Sequence, residues 1–87
     1  MNLRTYLDSL PRGQTTAFAG RCGISPVYLS QIAAGQDRRE ASPSLAVVIE
    51  RESDSAVMRW DSRPTDWHLI WPELRERKDA PAIKAEA

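Results

Sequence analysis

The sequence is poor in residues that bind metals or form covalent crosslinks. Its only cysteine is Cys22 and its only histidine is His68, far along the chain. One cysteine forms no internal disulfide, and this pair falls short of the ligands a zinc site needs. A metal or disulfide framework is excluded, and no cofactor is expected. No apolar run approaches the roughly 18 to 20 residues that cross a bilayer, and Met1-Asn2-Leu3-Arg4 does not begin the apolar stretch of a signal peptide. These absences point to a cytoplasmic protein without a membrane partner. The chain also has no nucleophile paired with a base and no glycine-rich phosphate cradle. Asp8, Asp61 and Asp66 stand without a partner histidine, so an enzyme is not expected.

Net charge is missing too: twelve basic and twelve acidic residues cancel. The cancellation hides a division. Residues 1 to 39 carry five arginines (Arg4, Arg12, Arg21, Arg38, Arg39) against Asp8 and Asp37, a net +3, and the remainder is −3. A modestly basic N-terminal half suits a phosphate-bearing partner, with the acidic half turned away. The 87 residues are 41% hydrophobic and 28% charged, which fits one water-soluble domain.

The apolar spacing is helical. Leu3, Leu7 and Leu10 share one face of a first helix, about Asn2 to Leu10, which Pro11 closes. Gly13 permits a turn into a second helix, Gln14 to Cys22, with Phe18 and Cys22 on one stripe. Gly23 suits its left-handed end. Ser25-Pro26 is a cap followed by proline at the first helical position. It opens a third helix of about nine residues, ended by Gly35. Leu29 and Ile32 face inward there, with Ile24 just before the cap. Ser42-Pro43 repeats the cap, and Leu45, Val48 and Ile49 form the stripe of a fourth helix that Ser53-Asp54-Ser55 breaks. The segment from residue 54 to 64 is open between strand and helical turn. A last short helix carries Trp67, Ile70 and Trp71 and stops before Pro72.

Two short helices joined by a glycine turn, with a small residue ahead of the turn and a capped second helix, form the helix-turn-helix pattern. Counted from Thr15, the residues Ala19, Gly23, Ile24, Leu29 and Ile32 fall at places five, nine, ten, fifteen and eighteen of a twenty-residue unit. This combination resembles the Cro and repressor family of phage and bacterial regulators. The strings G-I-S-P-V-Y-L-S-Q-I-A-A-G, S-P-S-L-A-V-V-I-E-R and V-M-R-W-D-S-R-P-T-D-W-H-L-I-W-P-E-L look like the YdaS-type branch of Cro-like proteins. The resemblance covers residues 2 to 74. It implies an all-α, four- to five-helix domain of the lambda-repressor-like DNA-binding kind over residues 1 to 74; residues 75 to 87, with one isoleucine, mixed charges and Pro81, are expected to form a flexible charged tail. The resemblance also implies a prophage-type transcriptional regulator, a Cro-like repressor.

The expected recognition helix is Pro26 to Ala34, lying in the major groove. With Leu29 and Ile32 inward, its outer face offers Val27, Tyr28, Ser30 and Gln31 for base contacts. Gln31 can pair with adenine through two hydrogen bonds, and Val27 can touch a thymine methyl. Pro26 stands where such repressors often have glutamine. Gln14, Thr15 and Thr16, at the start of the second helix, and Arg38 and Arg39, beyond the third, are the expected phosphate contacts. A nine-residue helix reads only about four to six base pairs, so a homodimer on a palindromic double-stranded operator is expected. Trp67, Ile70 and Trp71 are its candidate interface, and core packing is the other reading of Trp60, Trp67 and Trp71. The rival reading is an antitoxin-like or anti-regulator interaction module that uses the same scaffold for protein docking. Neutral net charge and the tryptophan-rich C-terminal part speak for it.

Overall fold

The computed structural model describes residues 1 to 36 and 39 to 82. Among these, all regular structure is helical: α1 (Leu3–Ser9), α2 (Gln14–Cys22), α3 (Pro26–Ala34), α4 (Pro43–Glu52), α5 (Arg59–Ser62), α6 (Trp67–Ile70) and a closing 3-10 helix, Pro72–Glu76. The domain is therefore all-α, with one helix more than expected, because the open segment contains α5.

Local chemistry sets most of the boundaries. The Asn2 side chain accepts a hydrogen bond from the Thr5 N–H at 2.8 Å, Ser25 from Tyr28 at 3.1 Å and Ser42 from Leu45 at 3.2 Å. Each satisfies a first-turn amide that has no partner within its own helix. Gly23 and Gly35 end α2 and α3 at φ 75° and 66°, and their N–H groups return to carbonyls of the last turn. Only glycine enters that left-handed region without a steric cost. At the end of α4 the device differs. Asp54 and Ser55 take positive φ values of 54° and 66° without being glycine. Buried Ser53 holds them, its hydroxyl donating to the Glu50 carbonyl at 3.3 Å and accepting from the Val57 N–H at 3.1 Å.

α2 packs against both α3 and α4, α1 lies on α3, and α4 carries α5. The shared core joins Leu3 and Leu7 to Phe18, Ala19 and Cys22, then to Leu29 and Ile32, and continues through Ala41, Ala46, Ile49 and Val57. The fourth helix differs from its expected stripe. Ala46 and Ile49 are fully buried, while Leu45 and Val48 flank the core half-covered. The buried face is thus centred between Ile49 and Ala46, to one side of Leu45 and Val48.

The region after α4 is fastened by charges and rings. Arg59 pairs with Glu50 at 2.9 Å, and its guanidinium lies 5.4 Å from the centre of the Trp71 ring. Arg63 grips both oxygens of Asp66 while donating to the Ala41 carbonyl at 3.0 Å. Trp67, only 2% exposed, meets the Trp60 ring edge-on at 5.7 Å. Trp67 thus packs as core, the other reading of the tryptophans, and has little surface of its own to lend to the candidate interface. Ile70 and Trp71 are half-buried, and the exposed residue of α6 is Leu69, at 73%.

Candidate nucleic-acid interface

The three-residue turn Gly23-Ile24-Ser25 sets α3 across α2. Its inner face is closed by Leu29, fully buried, and Ile32, 8% exposed; its outer face carries Val27 at 67% and Tyr28 at 38%. An open groove of about 700 Å³ runs along this outer face, walled by Arg4, Leu7 and Asp8 of α1 and floored by α3. Val27, Ser30 and Gln31 line it together with Thr15 from the first turn of α2. Four of the expected contact residues therefore share one concavity. Tyr28 lies outside it on the same helix, and Gln14 and Thr16 are exposed on the first turn of α2. Three polar groove residues were not among the expected contacts, Arg4, Asp8 and Gln36. For Arg4 the signal was present, because it follows inward Leu3 on α1 and so turns outward.

The start of α2 is chemically open. Its N-cap is Gly13, so no side chain caps its first amides, and no acidic residue stands in its first turn. Free N–H groups and the positive end of the helix dipole make such a terminus receptive to an anion. Arg12, exposed just before it, adds a full charge.

Ion pairing refines the charge division. Arg4 pairs with Asp8 at 3.4 Å, and Arg21 reaches Glu52 at 3.5 Å. Among the described residues no carboxylate lies within salt-bridge distance of Arg12 or Arg39. Of the acids in the other half, Glu50 is engaged by Arg59, Asp66 by Arg63 and Asp79 by Arg77, while Asp61 pairs with the Met1 ammonium and Glu52 with Arg21. Arg38 lies outside the described residues. Arg39 Nη1 donates to Gln31 Oε1 at 2.7 Å. The residue expected to read bases and one expected to meet phosphate form a single unit.

The ionisable groups elsewhere are structural. Burial pushes the Cys22 thiol up from its usual range, with a smaller push from Glu52, so the sulfur stays protonated and packs as a small apolar group. The hydrogen bonds from Arg63 hold the Asp66 carboxyl below the ordinary carboxylate range. Among the described residues no group of three or more His, Cys, Asp or Glu side chains is placed to hold a metal ion. No helix there is long and apolar enough to cross a membrane. Searches against known protein families and against curated protein sequences find no match for this chain.

Proposed function

We propose that the protein is a sequence-specific double-stranded DNA-binding regulator in which α2, the glycine turn and α3 act as a helix-turn-helix and α3 enters the major groove. The observation that carries this reading is the two-sidedness of α3. Leu29 and Ile32 fix it to the core, while Val27, Ser30 and Gln31 line an open groove and pack no core. A helix held this way projects polar and methyl-bearing side chains at the spacing of base edges. The uncapped start of α2 and the exposed Arg12 lie where a phosphate backbone would pass. On this reading the protein acts without a cofactor or catalysis, in the bacterial cytoplasm, as a Cro-like repressor. Two copies bind a palindromic site, because one short helix reads too few base pairs for useful specificity.

The test is a selection of bound sequences from random duplex DNA, followed by binding isotherms across a salt series. A recovered motif, with affinity falling on added salt at a log-log slope of about −0.9 per phosphate contact, supports the reading. A second reading has its own observation. Leu69 is 73% exposed and Val47 is 40% exposed, apolar surface that suits an anti-regulator or antitoxin-like docking module. Salt-insensitive binding to a protein, with no duplex motif, would put that reading first.

A further inference from the structure

The geometry points to Arg39 as a guanine-reading side chain, held in position by Gln31, an inference that rests on α3 lying in the major groove. Arg39 follows the loop after α3, eight residues beyond Gln31, yet its Nη1 is 2.7 Å from the Gln31 amide oxygen. The Arg39 N–H bonds to the Gln36 carbonyl at 2.9 Å, which ties Arg39 to the end of α3. The guanidinium thus lies beside the Gln31 amide, although Arg39 itself does not line the groove that Gln31 lines.

The hydrogen-bond inventory then reassigns the roles. To pair with adenine, a glutamine must accept through its amide oxygen and donate through its nitrogen. Here one of the oxygen's two lone pairs already accepts from a cation, so an adenine amino group would have to share the oxygen with Arg39. The arginine has donors to spare. A guanidinium carries five N–H groups, and a bond through Nη1 leaves the parallel Nε and Nη2 donors without a protein acceptor among the described residues. That edge matches the O6 and N7 acceptors of guanine, the commonest bidentate arginine contact in a major groove. A long arginine would lose much rotamer freedom on docking, and the bond to Gln31 removes part of that cost beforehand. Each half-site should therefore contain one guanine read by Arg39, with Gln31 as a positioning residue.

The experiment compares the full chain with its Arg39→Lys, Arg39→Ala and Gln31→Ala variants. Each is titrated on the duplex selected by the parent, on that duplex with single base-pair changes, and on random duplex. Thermal melts establish that all four are equally folded. The expected result is a selected motif with a guanine whose replacement costs the parent about 10- to 100-fold in affinity, a preference that Arg39→Ala loses. Arg39→Lys keeps the charge but has no planar fork, so it should lose most of the preference while holding random duplex within about twofold. Gln31→Ala should blur the same position without shifting it to another base. Equal weakening on every duplex, or full preference in Arg39→Lys, makes Arg39 a phosphate contact and overturns the inference. An adenine lost only in Gln31→Ala overturns it too. Both outcomes leave DNA binding standing, whereas a parent that binds no duplex overturns the proposed function as well.

Discussion

The stretch from α1 to α3 and the stretch from Ser53 to Glu76 are both helical, yet they are held in opposite ways. In the first, α1 and α3 start at side-chain caps, Asn2 and Ser25, and α2 and α3 stop at left-handed glycines, Gly23 and Gly35. In the second, α5 and α6 are single turns of four residues, and α6 has no side-chain cap. A four-residue helix does not persist alone, because nucleation is costly and too few bonds follow to offset it. Beyond two local ties, the Met58 N–H to Asp61 and Arg63 to Asp66, what keeps these turns is distant: Glu50 on Arg59, Ala41 and Glu40 on Arg63, and Trp60 beneath Arg77. Locally encoded helices give a rigid platform for α3. The remotely fastened turns serve as its clasp, closing over the same core from the far side.

The comparison is broken most severely at Trp67. This is the largest fully enclosed side chain of the second region. Truncating a buried tryptophan removes its transfer free energy and leaves a cavity, a loss of about 3 to 5 kcal/mol. That is a large part of the stability of a domain this small. Trp67→Ala should bring the urea midpoint down sharply. If the second region were only an accessory, the melt would split into two transitions, with α1 to α3 surviving the first.

Next in size is the clasp at Arg63. Its guanidinium bonds the Asp66 carboxylate and the Ala41 carbonyl from a largely covered position. Hydrogen bonds to a charged group contribute about 1.5 to 3 kcal/mol, and the part-exposed Asp66 places this one toward the lower end. Arg63→Ala should lose that amount at neutral pH. The acid dependence follows from the direction of the Asp66 shift. Its folded pKa is lowered, so the pair's contribution is complete above the ordinary carboxylate range and disappears as pH falls through the lowered value. Stability of the parent should therefore decline more steeply in acid than that of Arg63→Ala. Parallel curves in urea melts at a series of acidic pH values would show that the pair contributes nothing.

The same contrast explains what the sequence made legible. Ser25-Pro26 and Gly35 bound α3 where expected, because a cap and a left-handed end act on their own neighbours and need no tertiary partner. The pattern of Ala19, Gly23, Leu29 and Ile32 likewise placed the inward face of α3, and so its outward residues. The stripe of α4 was read one step off centre. Leu45 and Val48 are larger than Ala46, but Ala46 occupies the covered line, and hydrophobicity by type does not reveal which small residue another helix will overlie. Trp67 stays open in the sequence between core and interface for a related reason. A tryptophan on a one-turn helix has no periodicity to show which way it faces. The Gln31–Arg39 bond crosses eight positions and a loop, so no local rule encodes it.

The glycines sharpen the comparison at about 1 kcal/mol. Gly23 has φ 75°, and an alanine methyl there would meet no other atom within contact range, so the cost of Gly23→Ala is backbone strain alone. Forcing alanine into the left-handed region costs about 1 to 2 kcal/mol. Gly20 lies in the interior of α2, where an added methyl also meets open space. Gly20→Ala should stabilise by about 0.5 to 1 kcal/mol, because alanine is the better helix former. Two substitutions of the same chemistry, three residues apart, should thus move the melting temperature in opposite directions. Equal shifts would mean that Gly23 does not end α2 as described.

The smallest effect lies at the end of the clasp. Arg77 follows the closing 3-10 helix, with its guanidinium 5.5 Å from the Trp60 ring centre while it also pairs with Asp79. Arg77 and Asp79 are both exposed, so the ion pair contributes little. A cation over a tryptophan at such a site is worth about 0.5 to 1 kcal/mol. Arg77→Ala should lose no more than that, while Arg77→Lys keeps the cation and should lose less. Tryptophan emission gives an independent reading, since removing the guanidinium uncovers one face of the Trp60 ring to water. A red shift in Arg77→Ala, with a urea midpoint close to the parent's, would place the residue at the outer edge of the clasp. Loss of several kcal/mol would instead make the segment after Leu74 part of the fold's foundation, and the charged tail expected from residue 75 would then have to begin further along the chain.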